Sequence, residues 1–292
     1  MISIITPTYN RAHLISRMIK SVVAQTFKDW ELLVMDDGST DNTEEIIEQF
    51  QDSRIKFYSG SNTGASQKRN DGVELAAGNF IIFLDSDDEV YPNWLYEFTQ
   101  HIGSVDNSVI SCAWEKIDHT GKRVEAGYPK NHGKIFDDIS INFLAGTLML
   151  KKEFFLEAGG YDTELSSGQH TELLMRLIPV FKNYNTKIIA INKILVQIHL
   201  HQGDRIRKNY EGIFKGSTRT LKKHRSLFRK DPEMHFNYNS IAAVMALRTN
   251  RLKEARFYLR EAVKIKPLEP RTYFRYLISF HPSLKNKFYP NK

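Results

Sequence analysis

The sequence predicts an α/β protein: a mixed, mostly parallel sheet flanked by helices, followed by an all-helical appendage. Three observations carry that expectation. Through the first hundred residues, short apolar runs alternate with stretches of helical periodicity, as in a βαβ array. The runs end in polar turns rich in Asp, Ser, Thr and Asn. From about Arg205 onward the pattern is helical.

Ile2–Thr6 reads as the first strand, stopped by Pro7. A helix over Arg11–Gln25 follows, with Leu14, Met18, Ile19, Val22 and Val23 at helical spacing. Glu31–Met35 is the second strand, ending in Asp36-Asp37-Gly38-Ser39. Asp41 then caps a helix, and Glu44 three residues on completes a capping box. Ile55–Tyr58 is the third strand, and a helix from Ala65 to Ala77 stops at Gly78. Phe80–Leu84 has no polar interruption, as befits a strand buried on both faces; it runs into Asp85-Ser86-Asp87-Asp88, with Pro92 opening the next helix. Val109–Ile117 and Lys122–Glu125 flank His119-Thr120-Gly121 as a hairpin. Phe143–Leu150 reads as a strand before a short helix near Lys152–Ala158, Thr171–Phe181 as a helix and Lys187–His199 as the last strand. The expected division is an α/β domain over 1–204 and a helical region over 205–292. In the latter, Ala243, Ala255, Leu259, Ala262 and Pro267 have the spacing of one tetratricopeptide-like unit, too little for a solenoid and expected to pack on the main domain.

Composition narrows the classes. With 41% apolar and 26% charged residues, the 292-residue chain is not a disordered one. A single cysteine, Cys112, excludes an intramolecular disulfide framework and a Cys-cluster zinc site. No apolar run approaches the ~20 residues that span a bilayer. The first residues lack the basic segment of a signal peptide, so a cytoplasmic location is expected. The net charge of +7 is concentrated late in the chain, as in Lys222-Lys223-His224-Arg225 and Arg229-Lys230. Such a face suits an anionic membrane surface, an acidic glycan or nucleic acid, or it is simply a solvated helix surface. No nucleic-acid motif accompanies the interleaved Arg271, Tyr273, Phe274, Arg275 and Tyr276, so no nucleic-acid partner is expected.

Open parallel sheets bind ligands beyond the carboxyl ends of their strands. There the sequence places Thr6-Pro7-Thr8-Tyr9-Asn10-Arg11, Asp36 to Asp41, Asn62-Thr63-Gly64-Ala65 with Lys68-Arg69-Asn70, and Asp85-Ser86-Asp87-Asp88. Each alone reads as turn and cap residues. Three carboxylates in four residues repel, however, unless a cation or a helix N-terminus offsets them. Neither a G-x-G-x-x-G nor a P-loop sequence is present, which counts against dinucleotide dehydrogenases and P-loop NTPases. Carboxylates are hard ligands suited to Mn²⁺ or Mg²⁺, and a divalent ion can hold a nucleotide diphosphate as a leaving group.

With Ile4-Ile5-Thr6-Pro7-Thr8-Tyr9-Asn10, Val34-Met35-Asp36-Asp37-Gly38-Ser39-Thr40-Asp41, Gly64 with Arg69-Asn70, and Phe83-Leu84-Asp85-Ser86-Asp87-Asp88 in this order, the sequence resembles the family 2 glycosyltransferases. The resemblance is strong over about residues 1–100 and weakens beyond 205. It implies the GT-A fold, a Rossmann-like nucleotide-diphospho-sugar transferase architecture. It also implies that Thr6, Pro7, Thr8 and Asn10 line a nucleotide pocket, with Tyr9 near the base, Asp37 on the base or ribose, and Arg69 and Asn70 on the nucleotide. Asp85 and Asp87 match the family's D-x-D motif: Asp85, next to Ser86, would approach the ribose and Asp87 would ligate the metal, with Asp88 a second ligand. Further on, Gln169-His170 stands where many members carry Glu-Asp, whose Asp is the base. His170 would then be the catalytic base, with Glu172 close by, since a histidine titrates near working pH. Gln197-Ile198-His199-Leu200-His201-Gln202 resembles the segment whose histidine closes the metal site. Alternation puts His199 and His201 on one face, and spacing favours His201.

The expected activity is metal-dependent, inverting transfer of a sugar from a nucleotide diphosphate, most readily UDP, to a hydroxyl of a surface polysaccharide or lipid-linked glycan. Peripheral association with the inner face of the plasma membrane would go with it. Two rival readings are a nucleotidyltransferase, which lacks here the basic Gly-rich loop after the first strand, and a non-catalytic sugar-nucleotide or partner-binding module, which the His170 replacement keeps open.

Overall fold

The structure, a computed structural model, describes residues 1–102, 108–200 and 209–290. The chain forms two compact units. The first comprises Met1–His132, Asp138–Tyr161 and Arg176–Gln202; the second comprises Gly133–Asp137, Asp162–Met175 and Gly203–Lys292. The boundary expected at 204 lies outside the described residues, and the second unit also takes in Asp162–Met175.

The first unit opens with β1 (Ile2–Thr8), α1 (Ala12–Val23), β2 (Trp30–Asp36), α2 (Thr43–Glu48), β3 (Ile55–Ser59), α3 (Ala65–Leu75) and β4 (Phe80–Phe83). It continues with β5 (Glu89–Val90), α4 (Trp94–Thr99), β6 (Ser108–Ile117), β7 (Arg123–Gly127), β8 (Lys130–Asn131) and β9 (Ser140–Ile141). Then come β10 (Leu148–Lys151), α5 (Lys152–Glu157), α6 (Gln169–Asn183), whose first turns belong to the second unit, and β11 (Lys187–His199). The main sheet has the order β3-β2-β1-β4-β10-β6-β11-β5, with β7 paired to β6. β3, β2, β1, β4, β6 and β11 run one way, while β10, β5 and β7 run the other, so the sheet is mixed and mostly parallel as expected.

Every residue of β1, β2 and β4 is buried, because helices cover both faces of a parallel sheet. One side is filled by Ile4, Leu32, Val34 and Ile82 with Ile15, Met18, Ile19 and Val22 of α1 and Trp94 and Phe98 of α4. On α3, Gly72 allows the helix to press on the sheet: a Cβ there would lie 2.5 Å from Ile5 Cγ2 and 3.1 Å from Met35 Cγ.

Local expectations were corrected in four places. Pro7 does not end β1, which runs on through Thr8 beside β2 (Pro7 opposite Met35). α2 is capped by Asn42 without a side-chain hydrogen bond, and Asp41 instead accepts the N–H groups of Thr43 and Ala12. α3 ends at Leu75, and Gly78 is needed for space, since its Cβ would meet Ser3 Oγ at 2.7 Å. The strand expected from Phe143 starts only at Leu148.

The second unit contains α7 (Tyr210–Lys223), α8 (Arg225–Phe228), α9 (Pro232–Arg248), α10 (Leu252–Ile265), α11 (Pro270–Ile278) and α12 (Pro282–Phe288). Asn209 and Asp231 cap α7 and α9 by accepting the N–H groups of Gly212 and Met234. Ala243, Ala255, Leu259 and Ala262 are all buried, so the small-residue spacing does let α9 and α10 approach closely. No helix among the described residues is long and apolar enough to cross a membrane.

Candidate active site

The chain leaves β1 for β2 and β3 on one side and returns to β4 on the other, so its direction across the sheet reverses between β1 and β4. Loops leaving neighbouring strands in opposite directions open a crevice at their carboxyl ends. The four polar turns of the sequence converge there.

At the β1 end Thr6 and Pro7 are enclosed in the sheet, and Thr6 is fully buried, so neither offers ligand-facing surface as the pocket reading requires. Thr8 is also buried, and neither its Oγ1 nor that of Thr6 has a hydrogen-bond partner among the described residues. Tyr9 is exposed. Asn10 takes a left-handed conformation (φ 52°), which an Asn tolerates. There it ties two turns together, its N–H donating to Ser39 Oγ at 2.8 Å and its Oδ1 accepting the Thr40 N–H at 2.8 Å. Asp37 accepts N–H groups from Thr63 at 2.6 Å and Gly64 at 2.9 Å, linking the β2 turn to the start of α3.

On α3, buried Arg69 donates from Nη2 to Asp85 Oδ1 at 2.7 Å, and its guanidinium lies 5.5 Å from the Tyr161 ring. Burial opposes the charge, but Asp85 holds Arg69 protonated. The Arg69 Nε has no partner among the described residues. The Asn70 side chain is engaged within the protein, exchanging two hydrogen bonds with the Tyr161 backbone, at 3.0 and 2.8 Å.

Beyond β4, Asp85, Asp87 and Asp88 can each bring an oxygen within 4.8 Å of the others. Asp85 and Asp87 are partly exposed, while Ser86 and Asp88 are buried. Burial, with Asp85 and Asp87 adding repulsion, pushes the Asp88 carboxyl well above the usual carboxylate range. A divalent ion would relieve that crowding, and all-oxygen donors are what Mn²⁺ or Mg²⁺ takes, so this turn fits such an ion.

Three further groups surround the turn. Arg17 of α1 donates from Nη2 to the Asp87 carbonyl at 2.7 Å. The short β5 pairs with β11 and draws its end over the turn, so that the His199 N–H donates to Asp88 Oδ1 at 3.1 Å. His199 Nε2 lies 2.6 Å from Glu89 Oε2, and burial, with Arg17 adding to it, keeps the imidazole below its ordinary pKa despite Glu89. The preference for His201 falls outside the described residues. Strand alternation signalled His199 as its equal, whereas Arg17 and Glu89 carried no signal beyond their helix and turn positions.

In the second unit, Glu172 is 0% exposed and met from the C-terminal end of α7. Lys223 Nζ and His224 Nε2 each approach its Oε1 at 2.8 Å. A carboxylate so enclosed and ion-paired cannot reach a substrate hydroxyl, which removes it from the candidate bases. His170, second residue of α6, is half-buried.

Comparison with known proteins agrees with this construction. Residues 3–157 match the family described as Glycosyl transferase family 2. The chain belongs to that family. A stretch of 89 residues is 51% identical to the Escherichia coli UDP-Glc:alpha-D-GlcNAc-diphosphoundecaprenol beta-1,3-glucosyltransferase WfgD, covering 30% of this chain and 35% of WfgD. Another of 93 residues is 42% identical to the Campylobacter jejuni GalNAc(5)-diNAcBac-PP-undecaprenol beta-1,3-glucosyltransferase, covering 30% of each. The chain thus matches about a third of the length of these relatives. Staphylococcus aureus TarS 1-349, solved with UDP-GlcNAc, shares the fold with a TM-score of 0.65 and 18% identity, over 99% of this chain and 89% of that one. The family 2 glycosyltransferase assignment and the GT-A fold are thereby established.

Proposed function

We propose that the chain is a metal-dependent, inverting glycosyltransferase that moves a sugar from a UDP-sugar to a hydroxyl of a lipid-diphosphate-linked glycan. The observation that carries the reading is the crowded, partly exposed carboxylate trio at the sheet's reversal point, held from behind by Arg69. The name of WfgD supports a UDP-sugar donor, the names of WfgD and the Campylobacter relative support a lipid-diphosphate acceptor, and the TarS complex supports a UDP-linked donor. Tyr9, Thr8, Asp37 and Asn10 frame the nucleotide, and Asp85 approaches the ribose. Asp87 and Asp88 would hold Mn²⁺ or Mg²⁺, which supplies positive charge to the diphosphate. His170 takes the proton of the acceptor hydroxyl as its oxygen bonds to the anomeric carbon. The bond from that carbon to the diphosphate breaks on the opposite face, and UDP departs. With a lipid-linked acceptor, the chain works as a peripheral protein at the inner face of the plasma membrane.

The test is a thermal-shift panel of UDP, UDP-glucose and UDP-GlcNAc with and without Mn²⁺. A ligand at about 100 times its Kd stabilises by ~2.7 kcal/mol. A UDP-linked ligand should shift melting only with the ion present. No shift with any of the three overturns the donor assignment. Donor binding without any hydrolysis or transfer supports the binding-module reading, which the replacement of the usual carboxylate by His170 favours.

A further inference from the structure

Seven of the eighteen exposed large apolar side chains among the described residues fall between Leu268 and Phe288, a span of fourteen exposed positions in and around two short helices. Scattered exposed apolar residues are ordinary, whereas a contiguous set marks a surface that something covers. Here the set is contiguous by helix geometry. Tyr273, Phe274 and Leu277 stand at i, i+1 and i+4 on one side of α11, while Thr272 and Ile278 are buried. Leu284 and Phe288 stand four apart on α12, and the Phe288 ring meets that of Phe274 with centroids 5.3 Å apart, which joins the two helices into one face. Phe280, exposed at the turn between them, lies under the Arg256 guanidinium at 3.9 Å.

Charge decides what covers it. From Pro270 to Lys292 the chain has five Lys and Arg and no Asp or Glu. Arg271 and Lys287, on the two helices, are exposed. Aromatic and leucine side chains within a basic rim match a bilayer interface, where rings sit among headgroups and cations meet anionic lipids. A second copy of the chain would set this positive rim against itself.

We propose that the face formed by α11 and α12 is a membrane-docking surface that inserts Phe274, Leu277 and Phe288 into an anionic leaflet. It refines the peripheral location proposed above and rests on it. Insertion, and not basic charge alone, holds the protein there.

The test is sedimentation of the full chain with phosphatidylcholine vesicles, with and without phosphatidylglycerol, alongside light scattering of the protein alone. The wild type should sediment with the anionic vesicles only. The double variant Phe274→Ser, Leu277→Ser should bind them about tenfold more weakly or worse, because two apolar side chains no longer leave water. Arg271→Gln with Lys287→Gln should weaken binding less and flatten its salt dependence. All four positions are exposed, and the UDP-dependent thermal shift, which should persist in both variants, checks that each still folds. Wild type that ignores anionic vesicles overturns the peripheral location itself. Wild type that binds while the serine variant binds equally well overturns this surface alone. A wild-type dimer that the serine variant dissociates assigns the face to self-association and also overturns the proposal.

Discussion

Two groups of acidic residues are surrounded differently by the fold. Asp162 and Glu172, in the second unit, are met from α7 and its C-terminal end: Arg219 and Lys223 contact Asp162 at 2.9 Å each, and Lys223 Nζ and His224 Nε2 each lie 2.8 Å from Glu172. Although burial opposes it, Arg219 and Lys223 hold the Asp162 carboxyl below the usual range. After β4 the balance runs the other way. Asp85, Asp87 and Asp88 crowd within 4.8 Å, and burial and mutual repulsion drive Asp88 upward. Asp85 is paired with Arg69, yet the trio stays crowded enough to raise Asp88, and such a cluster fits an added divalent cation where the Asp162 and Glu172 contacts do not.

The sharpest way to break that contrast is to remove one member of the crowded group. Asp87→Ala should lower transfer by about 10³-fold, as expected when a group stabilising the leaving charge is lost. Mn²⁺-dependent UDP binding should vanish by calorimetry while the melting temperature without ligand stays put. Undiminished metal-dependent binding would sink the assignment.

On the matched side the effect should fall on stability instead. Glu172→Gln removes one of the two carboxylates that pair with Lys223 and the one that meets His224, and breaking a buried ion pair costs about 3 kcal/mol. Urea unfolding reads this as a lower midpoint with an unchanged slope. If stability is unmoved and transfer collapses, Glu172 is a functional residue after all. His170→Ala tests the remaining base: transfer should drop by about 10²-fold with donor binding intact, and His170→Asp should recover part of it. Activity within a few-fold of wild type would eliminate His170.

The array of strands and the convergence of their polar ends were legible because each signal is local. A buried parallel strand is a short apolar run, and β4 (Phe80–Phe83), expected over Phe80–Leu84, was legible from that pattern alone. What sequence could not show depends on distant partners. Glu172 reads as a second base until Lys223 and His224, some fifty positions on, are seen to enclose it. Asn70 reads as a ligand contact until the fold brings it to the Tyr161 backbone. The two-residue β5 is too short to carry any periodicity, yet it is what brings His199 to Asp88. Thr6 and Pro7 match the family's motif by position, but position in a motif does not say whether a residue faces the crevice or the sheet.

The smallest expected effect separates the two groups by sign. A carboxyl whose native pKa is raised contributes stability that is complete below its unfolded pKa, near 3.9 for Asp, and is lost as pH rises through the native value. Asp88 is of this kind, so at neutral pH the metal-free protein bears its charge as a penalty. A carboxyl whose native pKa is lowered, such as Asp162, stabilises above the unfolded value and loses that contribution as pH falls. Asp88→Asn keeps an oxygen for the His199 N–H and removes the charge. In the presence of a chelator it should therefore stabilise the fold at neutral pH, and by nothing in acid. Glu172→Gln moves stability in the opposite direction. Adding Mn²⁺ should reverse the order, stabilising the wild type and leaving Asp88→Asn behind. A metal-free Asp88→Asn protein that is less stable than wild type at neutral pH would show that Asp88 is a scaffold carboxylate like Glu172, and the contrast between the two groups would fail.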